Sequence, residues 1–227
     1  MRIIFMGTPT FAVPSLEKLY QKHEIISVFT KVDKPNARGK KINYSPVKEF
    51  ALENNLKIYQ PENFKDESIV EEIKKMSPDL IVVVAYGKIL PKEVIDIPKY
   101  GIINVHSSLL PRFRGAAPIN AAIIEGDEKS GVSIMYVEEE LDAGDVILQK
   151  ETLISDEDTF LTLHDRLKVM GAELLIEAIQ LIENEKVKAT KQDKSLVTFV
   201  KTCRKEDWKI KWSKTSREIF NFIRGMN

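Results

Sequence analysis

Residues 79–85, Asp79-Leu80-Ile81-Val82-Val83-Val84-Ala85, form a β-branched run that is apolar on both alternating faces. Such a strand must be covered from above and below, which happens at the centre of a parallel sheet wrapped by helices. The preceding residues fit that setting. Ile3-Ile4-Phe5-Met6 ends at Gly7 as a short buried strand. Val13, Leu16, Leu19 and Tyr20 then recur at helical spacing, with Pro14 tolerable in the first turn. Residues 25–30 read as the next strand. Ser45 caps a helix whose first position is Pro46 and which runs to the stop signal Asn54-Asn55. Residues 69–76 give a second amphipathic helix, and 101–106 a further strand. This alternation predicts an α/β fold: a Rossmann-like, open, twisted, mostly parallel sheet with helices on both faces.

In such sheets ligands bind outside the carboxyl ends of the strands. Those ends fall here at Gly7-Thr8, Tyr86-Gly87 and residues 104–106. The second half predicts a helix over 117–125 ended by Gly126 and a strand over 132–137. Residues 146–148 and 152–154 read as an antiparallel pair or one long strand. A long helix starts at Asp158 or Thr159 and runs to about Asn184, and residues 196–200 give one more short strand. Beyond Trp212, the residues Ile219, Phe220, Phe222 and Ile223 make an apolar stripe with nothing after it to cover it. The chain is expected either to stop short of a next domain or to dock this helix back on its body.

Composition narrows the function classes. With 34 basic and 34 acidic side chains the formal charge is zero, which excludes a uniformly basic nucleic-acid coat but not a local patch. Residues 31–48 carry six bases against one acid, residues 201–217 seven against two, and residues 138–158 nine acids against one lysine. These segments are solvated faces or separate surfaces for separate partners. The single cysteine, Cys203, rules out an internal disulfide or a cysteine-rich metal site. No apolar run approaches the ~18 residues of a membrane span, and the N-terminus enters a strand at once, so the cytoplasm is the expected compartment.

Several familiar motifs fail. The turn Gly7-Thr8-Pro9-Thr10-Phe11 has one glycine where a dinucleotide fingerprint needs three. Gly39-Lys40-Lys41 lacks the rest of a P-loop, and Ser45-Pro46-Val47-Lys48 lacks the companions of a Ser-x-x-Lys hydrolase. The informative constellation begins at Asn104-Val105-His106. Residues two apart on a strand share a face, so a carboxamide and an imidazole project together near a strand end. An amide can donate to a developing oxyanion and an imidazole can move protons near neutral pH; two polar residues satisfied by loop backbone would give the same pattern. The following segment, residues 107–118, is expected to be a loop whose two exposed arginines, Arg112 and Arg114, suit an anionic substrate. Further on, Asp142 precedes the small pair Ala143-Gly144. If it approaches His106, it orients the ring as the third member of a proton-handling set.

Asn104-x-His106, Ser108-Leu109-Leu110-Pro111 and Leu141-Asp142-x-Gly144 together resemble the formyltransferases that use 10-formyltetrahydrofolate. The resemblance is closest to members acting on initiator methionyl-tRNA. It is carried by Phe5-Met6-Gly7-Thr8-Pro9, Lys34-Pro35 with Arg38-Gly39-Lys40-Lys41, Ser45-Pro46-Val47-Lys48, residues 84–91 and residues 111–119. It implies the formyltransferase fold, a one-carbon group transferase and 10-formyltetrahydrofolate as co-substrate, with no metal.

Position by position, the resemblance makes Asn104, His106 and Asp142 the catalytic trio. It assigns the folate side to Lys88, Ile89, Leu90, Ser108, Leu109, Leu110, Pro111, Val137, Glu138, Glu139, Glu140 and Leu141. It sets Arg38, Lys40 and Lys41 against the acceptor end of initiator methionyl-tRNA, with Arg38 the most costly single loss. It also implies a catalytic domain over residues 1–206 and a linker over 207–227 toward a C-terminal β-barrel domain absent from this chain. A monomer with no membrane partner is expected. Two rival readings stay open: a relative acting on an amino sugar or hydrolysing 10-formyltetrahydrofolate, which would not need the basic segment 31–48, and a non-catalytic folate- or RNA-binding module, which would not need the trio.

Overall fold

The structure, a computed structural model, describes residues 1–35 and 42–227. In chain order its strands are β1 (Arg2–Gly7), β2 (Glu24–Phe29), β3 (Lys34–Pro35), β4 (Ile42–Asn43), β5 (Ile58–Tyr59), β6 (Leu80–Val84), β7 (Ile102–His106), β8 (Arg114–Gly115), β9 (Lys129–Tyr136), β10 (Val146–Leu153) and β11 (Phe199–Val200). Its helices are α1 (Val13–Lys22), α2 (Pro46–Glu53), α3 (Glu67–Met76), α4 (Lys92–Ile95), α5 (Pro118–Ile124), α6 (Phe160–Glu183) and α7 (Ser216–Met226).

Seven strands form the main sheet in the order β10-β9-β7-β6-β1-β2-β5. The pairs from β7 through β5 are parallel, and β9 and β10 are antiparallel. The apolar run at 79–85 becomes β6, near the middle, as its two-faced composition requires. Sheet order reverses direction between β1 and β6, so the strand-end crevice lies beside Gly7-Thr8 and residues 85–87. Thr8 closes it by donating its hydroxyl to the Tyr86 carbonyl at 3.3 Å. Residues 146–153 are one strand rather than two.

Helix boundaries follow local chemistry. Ser45 accepts from the Lys48 amide at 3.2 Å, as expected of the cap before Pro46. Thr159 caps α6 through a reciprocal pair with Thr162. The short predicted strand at 196–200 is real only over β11; residues 194–196 turn instead, because the Asp193 carboxylate holds the Ser195 amide at 2.9 Å.

The two faces of the sheet carry separate cores. Ile3, Phe5, Leu80, Val82, Val84, Ile103 and Val105 point to one face, beneath α1, α5 and α6. Ile4, Met6, Ile81 and Ile102 point to the other, with Phe29, Ile73, Tyr86, Leu90 and Val94. The terminal stripe behaves differently from its apolar pattern. Helix α7 does dock, against α5, but it buries Asn221, Arg224 and Gly225 and leaves Phe220 and Ile223 exposed. Hydrogen bonds explain the choice of face: Asn120 donates to the Gly225 carbonyl at 2.8 Å, and Arg224 donates to the carbonyls of Ser155 and Asp158 at 2.5 and 3.2 Å.

Candidate active site

On β7 the alternation of the pleat puts Ile103 and Val105 into the first core and Ile102, Asn104 and His106 on the opposite face. Asn104 pairs with Val83 of β6 and Met135 of β9, and His106 pairs with Ser133. The carboxamide and imidazole therefore continue the second face at the point where its apolar cover ends.

His106 is 6% exposed, and its Nε2 lies 2.9 Å from the carbonyl of Phe113. A carbonyl only accepts, so this nitrogen carries hydrogen. The other nitrogen, Nδ1, is the one left to gain or lose a proton, and it faces Asp142 Oδ2 at 3.7 Å. Asp142 is held by the amide of Gly115, which donates to the same oxygen at 2.8 Å. Its backbone is left-handed, with φ of 50°. The glycine two residues on has no alternative: a Cβ on Gly144 would lie 1.9 Å from the Tyr136 carbonyl oxygen. The tight turn that aims Asp142 at the ring thus depends on Gly144 lying flat against β9.

The folate-side candidates fall on three loops. After β6, Ile89 is 84% exposed while Leu90 is buried in the second core. Lys88 directs its ammonium to the carbonyls of Pro61 and Glu62, the latter at 2.6 Å, and burial lowers its pKa, with Lys31 adding repulsion. After β9, Val137 packs half-buried against that same core, Glu138, Glu139 and Glu140 are exposed, and Leu141 is 55% exposed. Lys92, the first residue of α4, comes within 4.0 Å of Glu139. After β7, Ser108 and Leu110 are buried and Leu109 and Pro111 half-buried. The Ser108 hydroxyl donates to the Arg112 carbonyl at 2.6 Å, and Ser133 and Gln149 hold the backbone of Ser108 and Leu110. Exposed Ile89 and Leu141 are each next to or near a residue of the second core, buried Leu90 and half-buried Val137, and supply apolar surface of the kind a flat aromatic ligand such as a folate needs.

The two arginines are not free for an anionic substrate, contrary to the reading of that loop. Arg112 makes two 2.7 Å bonds to Asp127. Arg114 is 3% exposed, with Glu140 at 2.9 Å and Gln192 at 3.1 Å. The buried Arg114 takes such partners because burying a guanidinium without them is costly. Arg38, Lys40 and Lys41 lie outside the described residues. Among the described residues no group of three or more His, Cys, Asp or Glu side chains is placed to hold a metal ion, and no helix is long and apolar enough to cross a membrane. Two open depressions, of about 460 and 580 Å3, lie at the opposite, amino-end edge around Asp79 and contain none of the candidate residues.

Sequence reasoning did not find the carbonyl of Phe113, the amide of Gly115 or the side chain of Gln192. The first two are backbone groups with no side-chain signature, and Gln192 belongs to no motif.

A strand-end carboxamide on the same face as an imidazole that faces a carboxylate, on a Rossmann-like sheet, is an arrangement suited to group transfer of the acyl type. Comparison with known proteins narrows this class. A family model described as formyl transferase matches residues 1–179. The methionyl-tRNA formyltransferase of Fusobacterium nucleatum subsp. nucleatum is 83% identical over 227 residues, all of this chain and 73% of that protein. That of Alkaliphilus oremlandii is 51% identical over 99% of this chain and 73% of its own length. Among solved structures, the sugar 3N-formyl transferase WlaRD, in the presence of dTDP and 5-N-formyl-THF, matches with a TM-score of 0.76 and 26% identity over 99% of this chain and 78% of that one. The chain belongs to the formyltransferase family, on its methionyl-tRNA formyltransferase branch.

Proposed function

We propose that this chain transfers the formyl group of 10-formyltetrahydrofolate to the α-amino group of initiator methionyl-tRNA, giving formylmethionyl-tRNA for translation initiation. The observation that carries this reading is the Asn104, His106 and Asp142 arrangement in a chain 83% identical to a methionyl-tRNA formyltransferase. Asn104 donates to the oxygen that becomes negative as the amine adds to the formyl carbon. His106, its Nε2 fixed on Phe113, acts through Nδ1. Asp142 balances charge on the ring and, with it, carries the proton lost by the attacking amine toward the departing folate nitrogen. The new C–N bond and the broken one are both at the formyl carbon, so no redox partner is required.

Ile89, Leu90, Val137 and Leu141 wall the pterin, and backbone groups of residues 88–90 and 137–141 read its polar edge. Leu109 and Pro111 are the more accessible contacts of their loop; Ser108 and Leu110 act by holding its shape. Arg38, Lys40 and Lys41 meet tRNA phosphates, an interaction that weakens with salt. Residues 1–206 are the catalytic unit, and 207–227 are the linker, whose helix α7 lies docked against α5.

Formyl transfer from 10-formyltetrahydrofolate tests the reading when methionyl-tRNA, a free amino sugar and water compete as acceptors. Selective formylation of the charged tRNA is expected. Preference for the amino sugar, or release of formate alone, would overturn it.

A further inference from the structure

Residues 190–200 lie beyond the family match, which ends at residue 179, yet they cross the loops that build the site. At one end Thr190 exchanges both backbone hydrogen bonds with Val146, at 2.9 and 2.8 Å, just after the Asp142 turn. Gln192 then donates both hydrogens of its amide, to the carbonyls of Asp142 at 2.9 Å and Gly144 at 2.8 Å. Its oxygen accepts from Arg114 Nε at 3.1 Å. One side chain thus ties the Asp142 turn to the loop that carries Gly115.

At the other end, Thr198 and β11 run alongside that loop. The amide of Arg114 donates to the Thr198 carbonyl at 2.8 Å, and that of Ala116 to the Val200 carbonyl at 3.1 Å. The amide of Phe113 donates to the Thr198 hydroxyl at 2.8 Å. These bonds bracket two backbone groups, the Phe113 carbonyl that holds His106 and the Gly115 amide that holds Asp142. The relative position of ring and carboxylate is therefore set from outside the strand that carries His106.

We propose that residues 190–200 are a positioning strap for formyl transfer, with Gln192 and Thr198 as positioning residues that fix Asp142 against His106. This rests on the proposed function only for its rate readout. Gln192 suits the role because an amide supplies two donors and an acceptor at once. A carboxylate there would oppose two carbonyls, and an apolar side chain would release both loops.

The test compares Gln192→Met, Thr198→Val and Thr198→Ser with the unsubstituted protein. A misplacement of about 1 Å costs on the order of a hundredfold in rate, so Gln192→Met is expected to lower kcat about tenfold to a hundredfold. KM for 10-formyltetrahydrofolate should change less than kcat, because Gln192 reaches the folate side only indirectly, through Arg114 and its partner Glu140. Thr198→Val should lower kcat less, and Thr198→Ser, which keeps the hydroxyl, should restore it. A folded Gln192→Met with undiminished kcat would overturn the strap, as would equal kcat for Thr198→Val and Thr198→Ser. Should Gln192→Met fail to fold, the Thr198 pair decides alone.

A second readout needs no acceptor. The imidazole nitrogen resonances of His106, one of 3 histidines, can be assigned by their loss in His106→Asn. They should move in Gln192→Met and Thr198→Val and stay in Thr198→Ser; unmoved resonances overturn the strap. Moved resonances in a protein that does not formylate methionyl-tRNA would retain the strap and discard the proposed acceptor.

Discussion

Strand β7 serves two different surfaces. On one face Ile103 and Val105 sit beneath α6, in a core that stays apolar to the carboxyl ends of the strands. On the other, apolar packing reaches Ile102 and Leu90 and then gives way to Asn104 and His106. Helix α6 crosses the first face and Val105 is buried there, whereas on the second face Asn104 is only half-buried. With the proposed catalytic roles, the carboxyl end of β7 divides packing and chemistry across the thickness of a single strand. A residue's distance along the chain from His106 says less about its role than the face to which it points.

The first face should break the fold and spare the chemistry. Leu167 is fully buried in that core, and Leu167→Ala should lower unfolding free energy by about 2–5 kcal/mol in urea titrations. The folded fraction should keep its kcat. The second face should do the reverse. Asn104→Ala should cost about 10²–10³ in transfer rate, or roughly 2.7–4 kcal/mol of transition-state stabilisation. Its melting temperature should change little, because the side chain is only half-buried.

A gentler probe sits where α6 crosses β7. A Cβ on Gly171 would lie 2.9 Å from Val105 Cγ1. Gly171→Ala should therefore pay an overpacking cost of about 1–3 kcal/mol, partly offset by about 1 kcal/mol of helix propensity. Combined with Val105→Ala it should be less harmful than the two losses added, which a double-mutant cycle would measure.

The smallest effect belongs to α7, remote from both faces of β7. Its Glu218 carboxyl is held down to about 2, first by the Lys214 ammonium and then by the Thr215 amide and hydroxyl. A depressed carboxylate pKa contributes stability above the ordinary value of 4.5, and that contribution is lost as pH falls from there toward 2. Hydrogen exchange should show α7 amides losing protection over that window before those of β7. Equal behaviour in Glu218→Gln and the unsubstituted protein would remove the cap from the account.

The legible parts were those whose physics is local. The apolar run at 79–85 could only be a doubly covered strand, and Ser45-Pro46 could only open a helix. Asn104 and His106 shared a face because a strand alternates. Strand β5 escaped notice because two residues at a sheet edge show no period. The partners of the trio escaped for another reason: the Phe113 carbonyl and Gly115 amide are backbone groups, and Gln192 acts across a gap of 50 residues from Asp142. The α7 stripe misled because Phe220 and Ile223 outweigh Asn221 and Arg224 in an apolar pattern, whereas hydrogen bonds to α5 and residues 155–158 decide which face is buried.

The most direct test of this division uses the adjacent pair Asn104→Ala and Val105→Ala, each measured for thermal stability and for formyl transfer to methionyl-tRNA. Opposite losses are expected: Asn104→Ala folds normally and transfers slowly, and Val105→Ala is destabilised but transfers normally once folded. Parallel losses of rate and stability in both variants would contradict the division, because neighbouring side chains on one strand would then share one role.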